Sequence, residues 1–574
     1  MKSKWDITGQ YLEGKSLYDQ ILLQRGYQAS DLNPSYQDLI NPNKLSGMSR
    51  AVGRIWQAII QKQKIVIYGD YDVDGVTATA VLSGILRELG ADVSSYIPDR
   101  HQEGYGLNAE AIERLIKLDN QLLITVDCGI TAESEISQYA NRIDFIVTDH
   151  HALPSKLPDK AIAVIDPLIP SEYQFAYLAG VGVAYLLGLA LIYDQEWSLR
   201  KEAKQQSWKP GIERWYLDLV AIGTICDIVP LIDQNRILVQ YGLKVLNKTR
   251  RLGLKALIAK ASFGDQQELG RIDESMVGFG IGPRINAAGR LEHADLSLKL
   301  IQSANLDQAE QIATELNNLN YQRKGLCDRI FDQAITRALE YPNDSVIVIA
   351  DPEWSKSVVG IVASRVSEEL GKPSIILEQS GDLLVGSARS IGNFNIIEAI
   401  REVDIRLKQR GIDSLPRKGG HAFAAGLSLI SKELDNFRQE INHYAQEYQN
   451  DLVSSLKIDL SIPSEQISLE NYRSLRELAP FGAKNPEPVF VTRLRLAQQR
   501  LVGNNKQHSQ TVWTDPVDKR VFKAIAFNDT QPSLNPLWDY WVVYQMQENR
   551  FNGRTTIDLR ILDFNPWVES DGLS

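Results

Sequence analysis

Residues 69–80 read GDYDVDGVTATA, with Asp70, Asp72 and Asp74 at alternate positions and Gly75 closing the run. The D-x-D-x-D-G spacing matches the start of an EF-hand calcium loop, which also requires a bidentate glutamate at position 12. Counted from Asp70, position 12 is Val81, which has no oxygen to offer. The flanks disagree as well, because an EF-hand loop is entered from a helix. Here KIVIYG (64–69) precedes the acids, a short β-branched run that predicts a buried strand. VTATAVLSGILREL (76–89) follows with helical spacing of its apolar residues. The carboxylates are therefore expected at the C-terminal end of a strand, where an open α/β sheet binds ligands. One aspartate can cap the following helix and another can make an Asx turn. Three within five residues repel one another unless cations compensate, and that favours a metal site.

Working outward, strand-like runs alternate with helical stretches from about 51 to 240. KIVIYG, DVSSYIP, QLLITVD, DFIVTD and AIAVID are the strands, and LNAEAIERLIKL is one of the helices between them. This alternation predicts a doubly wound parallel sheet. Metal-capable side chains recur at the same edge: Asp127 after QLLITV, Asp149-His150-His151 after DFIV, and Asp227 after the helical LVAIGTIC. Carboxylates with one imidazole suit Mn²⁺ or Mg²⁺ better than zinc or copper. Two such ions about 3.5–4 Å apart would activate water and clamp a phosphoryl group. Asp166, before Pro167, reads more simply as a turn residue.

The chain has 574 residues, 44% apolar and 23% charged, with a net charge of −10. That length predicts about three domains. The longest apolar runs, such as LAGVGVAYLLGLALIY (178–193), fall short of the roughly 20 residues a spanning helix needs. Their glycines suit close packing. No secretory signal is expected from MKSKWDITGQ, and no membrane segment. Cys128, Cys226 and Cys327 are far apart, which argues against a disulfide framework and fits a reducing, cytoplasmic compartment. The acidic balance excludes a uniformly basic nucleic-acid coat but permits a local basic groove.

Residues 1–50 are polar and mixed, with DLNPSYQDLINPNKLSG (31–47) reading as turns and short helices. NLDQAEQIATELNNLNYQRKGLCDRIFDQAITRALE (305–340) predicts a long amphipathic helix linking two domains. A second α/β alternation starts at SVIVIAD (345–351) and runs to KGGHAFAAGLSL near 430. Five or six short strands then follow between about 455 and 565, enough for a small antiparallel barrel of the OB type. Trp513, Phe522 and Phe527, beside Arg493, Arg495, Arg500, Lys506 and Lys523, offer material for stacking bases, although aromatics in short strands more often belong to a core.

YGDYDVDGVTATA, IPDRHQEGYGLN, TVDCGI, TDHH and CDIVPL, in this order, resemble the signature blocks of the DHH phosphoesterase superfamily. GIGPRINAAGRL, VVGIVASRVSEELGKPSIIL, GSARS, GGHAFAAGL and LAPFGAKNPEPVF resemble its RecJ family of single-strand-specific 5′→3′ exonucleases. The likeness runs over residues 45–565. It implies an N-terminal extension (1–50) and a DHH catalytic domain (51–240). A helical region with the connector helix (241–342), a DHHA1 substrate-binding domain (343–450) and an OB-fold barrel (451–574) would follow. It further implies that Asp70, Asp72 and Asp127 cradle one metal while Asp74, Asp127, His150 and Asp227 hold a second. Asp127 would bridge the two, and His151 would face the scissile phosphate. Arg100, Arg284, Arg290, Ser387, Arg389, Gly419, Gly420 and His421 would handle the substrate, with a small-residue turn at NAAG admitting the ligand. One departure stands at EWSKSVVGIVA, where Ser355 and Ser357 replace the histidine and glycine common in the family. The implied partners are single-stranded DNA, a single-strand-binding protein and a helicase, for a cytoplasmic monomer acting in DNA repair and recombination.

Overall fold

The computed structural model describes residues 4–100, 102–104, 106–194, 211–261, 271–452, 455–503, 506–527, 534–551 and 553–567. The chain forms two compact units: residues 33–323 with 480–486, and residues 1–32 with 324–479 and 487–574. The first described strand, β1 (Lys4–Gly9), belongs to the second of these.

In the unit formed by 33–323 and 480–486, helix α1 (Met48–Ile60) leads into a five-stranded parallel sheet. Its strands are β2 (Lys64–Gly69), β3 (Asp92–Tyr96), β4 (Leu122–Val126), β5 (Asp144–Thr148) and β6 (Ala163–Ile165), in spatial order β3-β2-β4-β5-β6. β2 and β4 are buried on both faces, as the continuous Ile/Val/Leu runs demand. The order reverses between β2 and β4. That is the topological switch point, and the crevice outside those strand ends is where such sheets bind ligands. Helices α2 (Val73–Glu88), α5 (Gly180–Ile192) and α6 (Leu217–Cys226) pack together in the core beside the sheet, while α3 (Ala109–Lys117) and α4 (Glu133–Tyr139) lie between strands in sequence. α5 is the apolar run noted above. It is a core helix, buried along nearly its whole length, with Gly188 against Ile85. Helix α7 (Gly282–Leu291) follows a π-helical segment, Met276–Ile281. NAAG therefore lies in a helix and not in the expected turn.

The long helix is α8 (Leu306–Ala338), and the division between the two units falls within it, after Arg323.

The unit containing residues 324–479 and 487–574 carries two sheets. The first has the order β10-β11-β9-β8-β7. Its strands are β7 (Ile347–Asp351), β8 (Ser374–Ser380), β9 (Leu383–Arg389), β10 (Arg417–His421) and β11 (Ala424–Ile430), and helix α9 (Val359–Leu370) packs on β8 and β9. Ser387 and Arg389 lie inside β9, and Gly419 to His421 lie in β10. The second sheet adds β12 (Ser455–Ser461), β13 (Phe490–Val502), β14 (His508–Thr514), β15 (Val521–Ala526), β16 (Asp539–Phe551) and β17 (Arg554–Pro566). β13, β14, β15, β17 and β16 close into a five-stranded barrel through the β13–β16 pairing. The barrel is mixed and not antiparallel throughout, because β15 and β17 run parallel. β1 extends this sheet in parallel register with β12, and Trp5 Nε1 donates to Asp563 at 2.9 Å. The reading of residues 1–50 as polar and mixed named no strand here.

Candidate metal centre and its family

Asp70 sits at the end of β2 and is 4% exposed. Asp72 is the N-cap of α2, and its Oδ1 accepts from the Gly75 amide at 3.1 Å, the cap that one of the three acids was expected to make. Asp74, in the first turn of α2, is buried and held from outside its own motif. The Gly180 and Val181 amides at the N-terminus of α5 donate to its two oxygens at 2.6 and 2.8 Å. A helix N-terminus favours negative charge, so this contact fixes the carboxylate and eases its burial. Gly180 has to be glycine for a second reason: a Cβ there would lie 2.6 Å from both Cβ and Oδ1 of Asp127.

Asp127 ends β4 with φ 61°, left-handed for a residue that is not glycine. Such a conformation costs on the order of 1–3 kcal/mol and collects at functional sites. Across β5, His150 points its Nε2 at three carboxylates: Asp127 Oδ1 at 3.0 Å, Asp227 Oδ2 at 3.6 Å and Asp74 Oδ2 at 3.7 Å. Asp227 comes from no strand. It is the C-cap of α6.

Burial pushes the Asp74 carboxyl up to about 7 and that of Asp227 up to about 9, with neighbouring aspartates adding to each. Asp70 and Asp127 are driven well above the usual carboxylate range for the same two reasons. His150 is pressed down to about 4, chiefly by burial and then by the charge on His151, against the opposing charge of Asp149 and a hydrogen bond to the Leu178 backbone. Its ring is neutral, so the nitrogen facing the acids is a lone pair. Asp70 Oδ1, Asp127 Oδ1, Asp227 Oδ2 and His150 Nε2 are buried without any hydrogen-bond partner. Buried carboxyl and imidazole atoms crowded together without hydrogen-bond partners are what a bound cation satisfies, in place of the protons that burial and mutual repulsion otherwise hold there. The ligand atoms fall into clusters within 4.8 Å of one another, Asp70/Asp72/Asp127 and Asp74/His150/Asp227, with Asp127, His150 and His151 also grouped. Hard oxygen donors with one imidazole fit Mn²⁺ or Mg²⁺. The thiols of Cys128 and Cys226 join none of these clusters, and burial pushes Cys128 up.

His151 is held differently. Its Nδ1 meets Asp149 Oδ1 at 2.7 Å, and Asp149 is fully buried. Asp149 also accepts from the backbone amides of Ile130, His150 and His151. Burial opposes a charge on His151, but the Asp149 bond and charge hold its imidazole up at about 9. Asp149 is thus not a ligand but the group that orients His151. Asp166 makes the expected turn, accepting from the Leu168 amide at 2.8 Å.

The arginines divide. Arg100 stacks on the ring of Tyr71, 4.9 Å from its centroid, and so stands over the acid loop. Arg290 follows Gly289, where a Cβ would lie 2.5 Å from the Tyr71 carbonyl; the small residues of NAAG bring α7 against the acid loop itself. Arg284 departs from the expected phosphate clamp. It is 4% exposed, and its guanidinium donates to Asn317 Oδ1, Gly280 O and Lys260 O at 3.0, 2.7 and 3.1 Å. All three guanidinium nitrogens are engaged by protein oxygens, so Arg284 locks the segment around α7. Asn286, unremarked in the sequence, accepts from the Val73 amide at 3.2 Å and supports the start of α2.

In the other unit, Ser387, Arg389, Gly419 and His421 share one sheet face, while Gly420, paired with Ala425, belongs to the opposite one. Across β9, β11 and β10, Ser387 aligns with Gly426 and Gly419, and Arg389 with Ala424 and His421. Directly paired residues project to the same face. Small residues on the middle strand leave an open shelf between Ser387 and Arg389 on one side and His421 on the other. Arg389 bonds Ser364 Oγ and Ala388 O, and burial lowers its pKa. A Cβ on Gly360, at the start of α9, would come within 3.1 Å of Ser387 Oγ and 3.2 Å of Arg389 Nη2. The Ser355 and Ser357 hydroxyls pair at 2.8 Å just before that helix. On the barrel, Trp513 and Phe522 are core while Phe527 is half exposed. Arg493 and Arg495 both pair with Asp539.

Comparison with known proteins agrees with this layout. The DHH family, N-terminal domain matches residues 64–224, the DHHA1 domain 343–447 and the RecJ OB domain 458–563. The single-stranded-DNA-specific exonuclease RecJ of Bacillus subtilis is 37% identical, over 98% of this chain and 71% of that protein. The chain belongs to the RecJ family. Its Escherichia coli relative of the same description is 34% identical over 96% of both chains. Among solved structures, RecJ from Thermus thermophilus in complex with Mn²⁺ matches with a TM-score of 0.79 at 29% identity, covering 97% of this chain and 77% of that one. The Mg²⁺ complex of the same protein matches with a TM-score of 0.72 at 28% identity, covering 96% and 75%. As a RecJ family member the chain carries the DHH, DHHA1 and OB domains, and none of its described helices is long and apolar enough to cross a membrane.

Proposed function

We propose that this chain is a metal-dependent exonuclease that hydrolyses single-stranded DNA from its 5′ end. The observation that carries the reading is the set of unpartnered carboxylate and imidazole atoms at the switch point of the parallel sheet. Asp70, Asp72 and Asp127 hold one divalent ion, and Asp74, His150 and Asp227 hold another together with Asp127. Bound Mn²⁺ or Mg²⁺ supplies Lewis-acid polarisation of the phosphodiester and a water acidic enough to attack at neutral pH. The chain's own residues do the rest. Asp149 fixes His151 with its outer ring nitrogen toward the scissile phosphate, where it donates to the departing oxygen. Arg100 and Arg290 bracket the acid loop and take phosphate oxygens, for which a guanidinium fork is suited. Ser387, Arg389, Gly419 and His421 form the shelf that receives the strand's end, with Gly420 in the backbone between them, because glycine lets a phosphodiester approach the backbone.

The reading extends to a monomer in the cytoplasm, working in DNA repair and recombination. An enzyme confined to single strands depends on a helicase to open duplex and meets strands coated by single-strand-binding protein. The test uses 5′- and 3′-labelled single strands and matching duplex, with Mn²⁺, Mg²⁺ or EDTA. Loss of the 5′ label from single strands, abolished by EDTA, is expected. Release from the 3′ end, or equal cutting of duplex, would defeat the assignment.

A further inference from the structure

Ile228 follows the ligand Asp227 and takes the left-handed backbone region, φ 59°. A β-branched side chain is an outlier there, and glycine or asparagine usually closes a helix in this way. The isoleucine is also 76% exposed, so burial offsets none of the strain. A second large apolar side chain, Phe279, is 77% exposed in the π-helical segment Met276–Ile281. Such π turns recur at functional sites. This segment runs along the same end of α6. A Cβ on Gly278 would lie 4.0 Å from Ile225 Cγ2, and one on Gly282 2.4 Å from Cys226 Sγ. The Ile228 amide in turn donates to Ile225 O at 3.2 Å. Two exposed apolar groups therefore flank the end of the helix that presents Asp227.

Neither phosphate nor water gains from such a surface. A nucleobase does, through its face, and only an unstacked base has that face free. We propose that Ile228 and Phe279 receive the nucleobase beside the phosphodiester being cut, so that the metal centre itself selects unstacked strands. This rests on the exonuclease reading above.

The test compares the full-length chain with Ile228→Gly, Ile228→Leu and Phe279→Ala, in Mn²⁺, on ordinary single strands and on strands with abasic terminal nucleotides. Ile228→Gly and Phe279→Ala are expected to raise KM for ordinary strands on the order of tenfold. Ile228→Leu restores it. Ile228→Gly melts no lower than the parent, since glycine takes this φ freely, and keeps the Mn²⁺-induced thermal shift. On abasic strands the penalty falls below about twofold. Parental KM in both variants, or a penalty undiminished on abasic strands, overturns the proposal while the exonuclease reading stands. A parent chain that fails to cut ordinary single strands overturns both.

Discussion

At Asp127, backbone and side chain carry related burdens. Its left-handed φ turns the carboxylate back over the strand end, within 3.0 Å of His150 Nε2. An alanine there removes the one side chain common to both proposed ion sites. Asp127→Ala is expected to abolish cleavage in the labelled-strand assay while gel-shift binding of single strands stays close to the parent. Asp149 is the quieter partner. Asp149→Asn leaves the metal ligands in place but weakens the hold on His151, and a lost orienting group of this kind costs about 10–100-fold. Because the Asp149 bond is what raises the His151 pKa to about 9, its loss lets the imidazole deprotonate sooner. The alkaline limb of the kcat–pH profile is expected to move to lower pH. An unchanged limb would show that His151 does not act as an acid. Arg284 teaches the opposite lesson: next to a suggestive motif, its donors serve the backbone.

Among elements, the junction of α5 with the β2 and β4 strand ends decides the site. The Gly180 and Val181 amides hold Asp74, and the missing side chain at 180 leaves room for Asp127. Gly180→Ala is expected to cost about 1–3 kcal/mol of stability through overpacking. It should also lower Mn²⁺ affinity, measured by titrating the thermal shift. Gly325 is the contrasting case. It lies mid-way along α8, is exposed, and an added Cβ meets nothing within 4 Å. Gly325→Ala is expected to stabilise by roughly 0.5–1 kcal/mol in denaturant melts. The alternating strands and helices of this unit were legible because apolar period and β-branching are local signals. The α5 contact was not. Its glycines announced close packing, but nothing in LAGVGVA says that the neighbour is an aspartate over 100 residues earlier. β1 was missed although KWDITG alternates polar and apolar residues, because so short a run is a weak signal by itself and its partner β12 lies some 450 residues away.

For the whole molecule, the concentrated acids tie stability to metal and pH. The folded-state pKa values of Asp74 and Asp227, about 7 and about 9, lie above the ordinary 3.8. The metal-free fold therefore holds protons that the unfolded chain releases. The stability these two groups contribute is fully present below pH of about 4 and is lost as pH rises through the folded values. Divalent ions displace those protons, so the stabilisation they bring grows over the same range. Melting in EDTA is expected to fall between pH 5.5 and 8.5, and the rise in Tm on adding Mn²⁺ to widen. A metal-induced shift independent of pH would mean that the clustered carboxyls do not bind the ion.

The sequence by itself determined the parallel sheet, the second α/β domain, the barrel and the identity of the clustered acids and histidines, because hydrophobic period and clustered charge are readable locally. It could not separate a ligand from the residue that orients one, nor tell Arg284 from Arg290, since both flank the same small-residue motif. Tertiary structure alone decided that Asp227, read after a helix, meets His150 and Asp74, that Asp149 turns inward to His151, and that Ser387, Arg389 and His421 share a sheet face. Each depends on which way a side chain projects once distant segments are packed. Three acids in GDYDVDG favoured a cation wherever they lay; only packing placed four more ligating or orienting groups, from strand and helix ends far along the chain, around the same point.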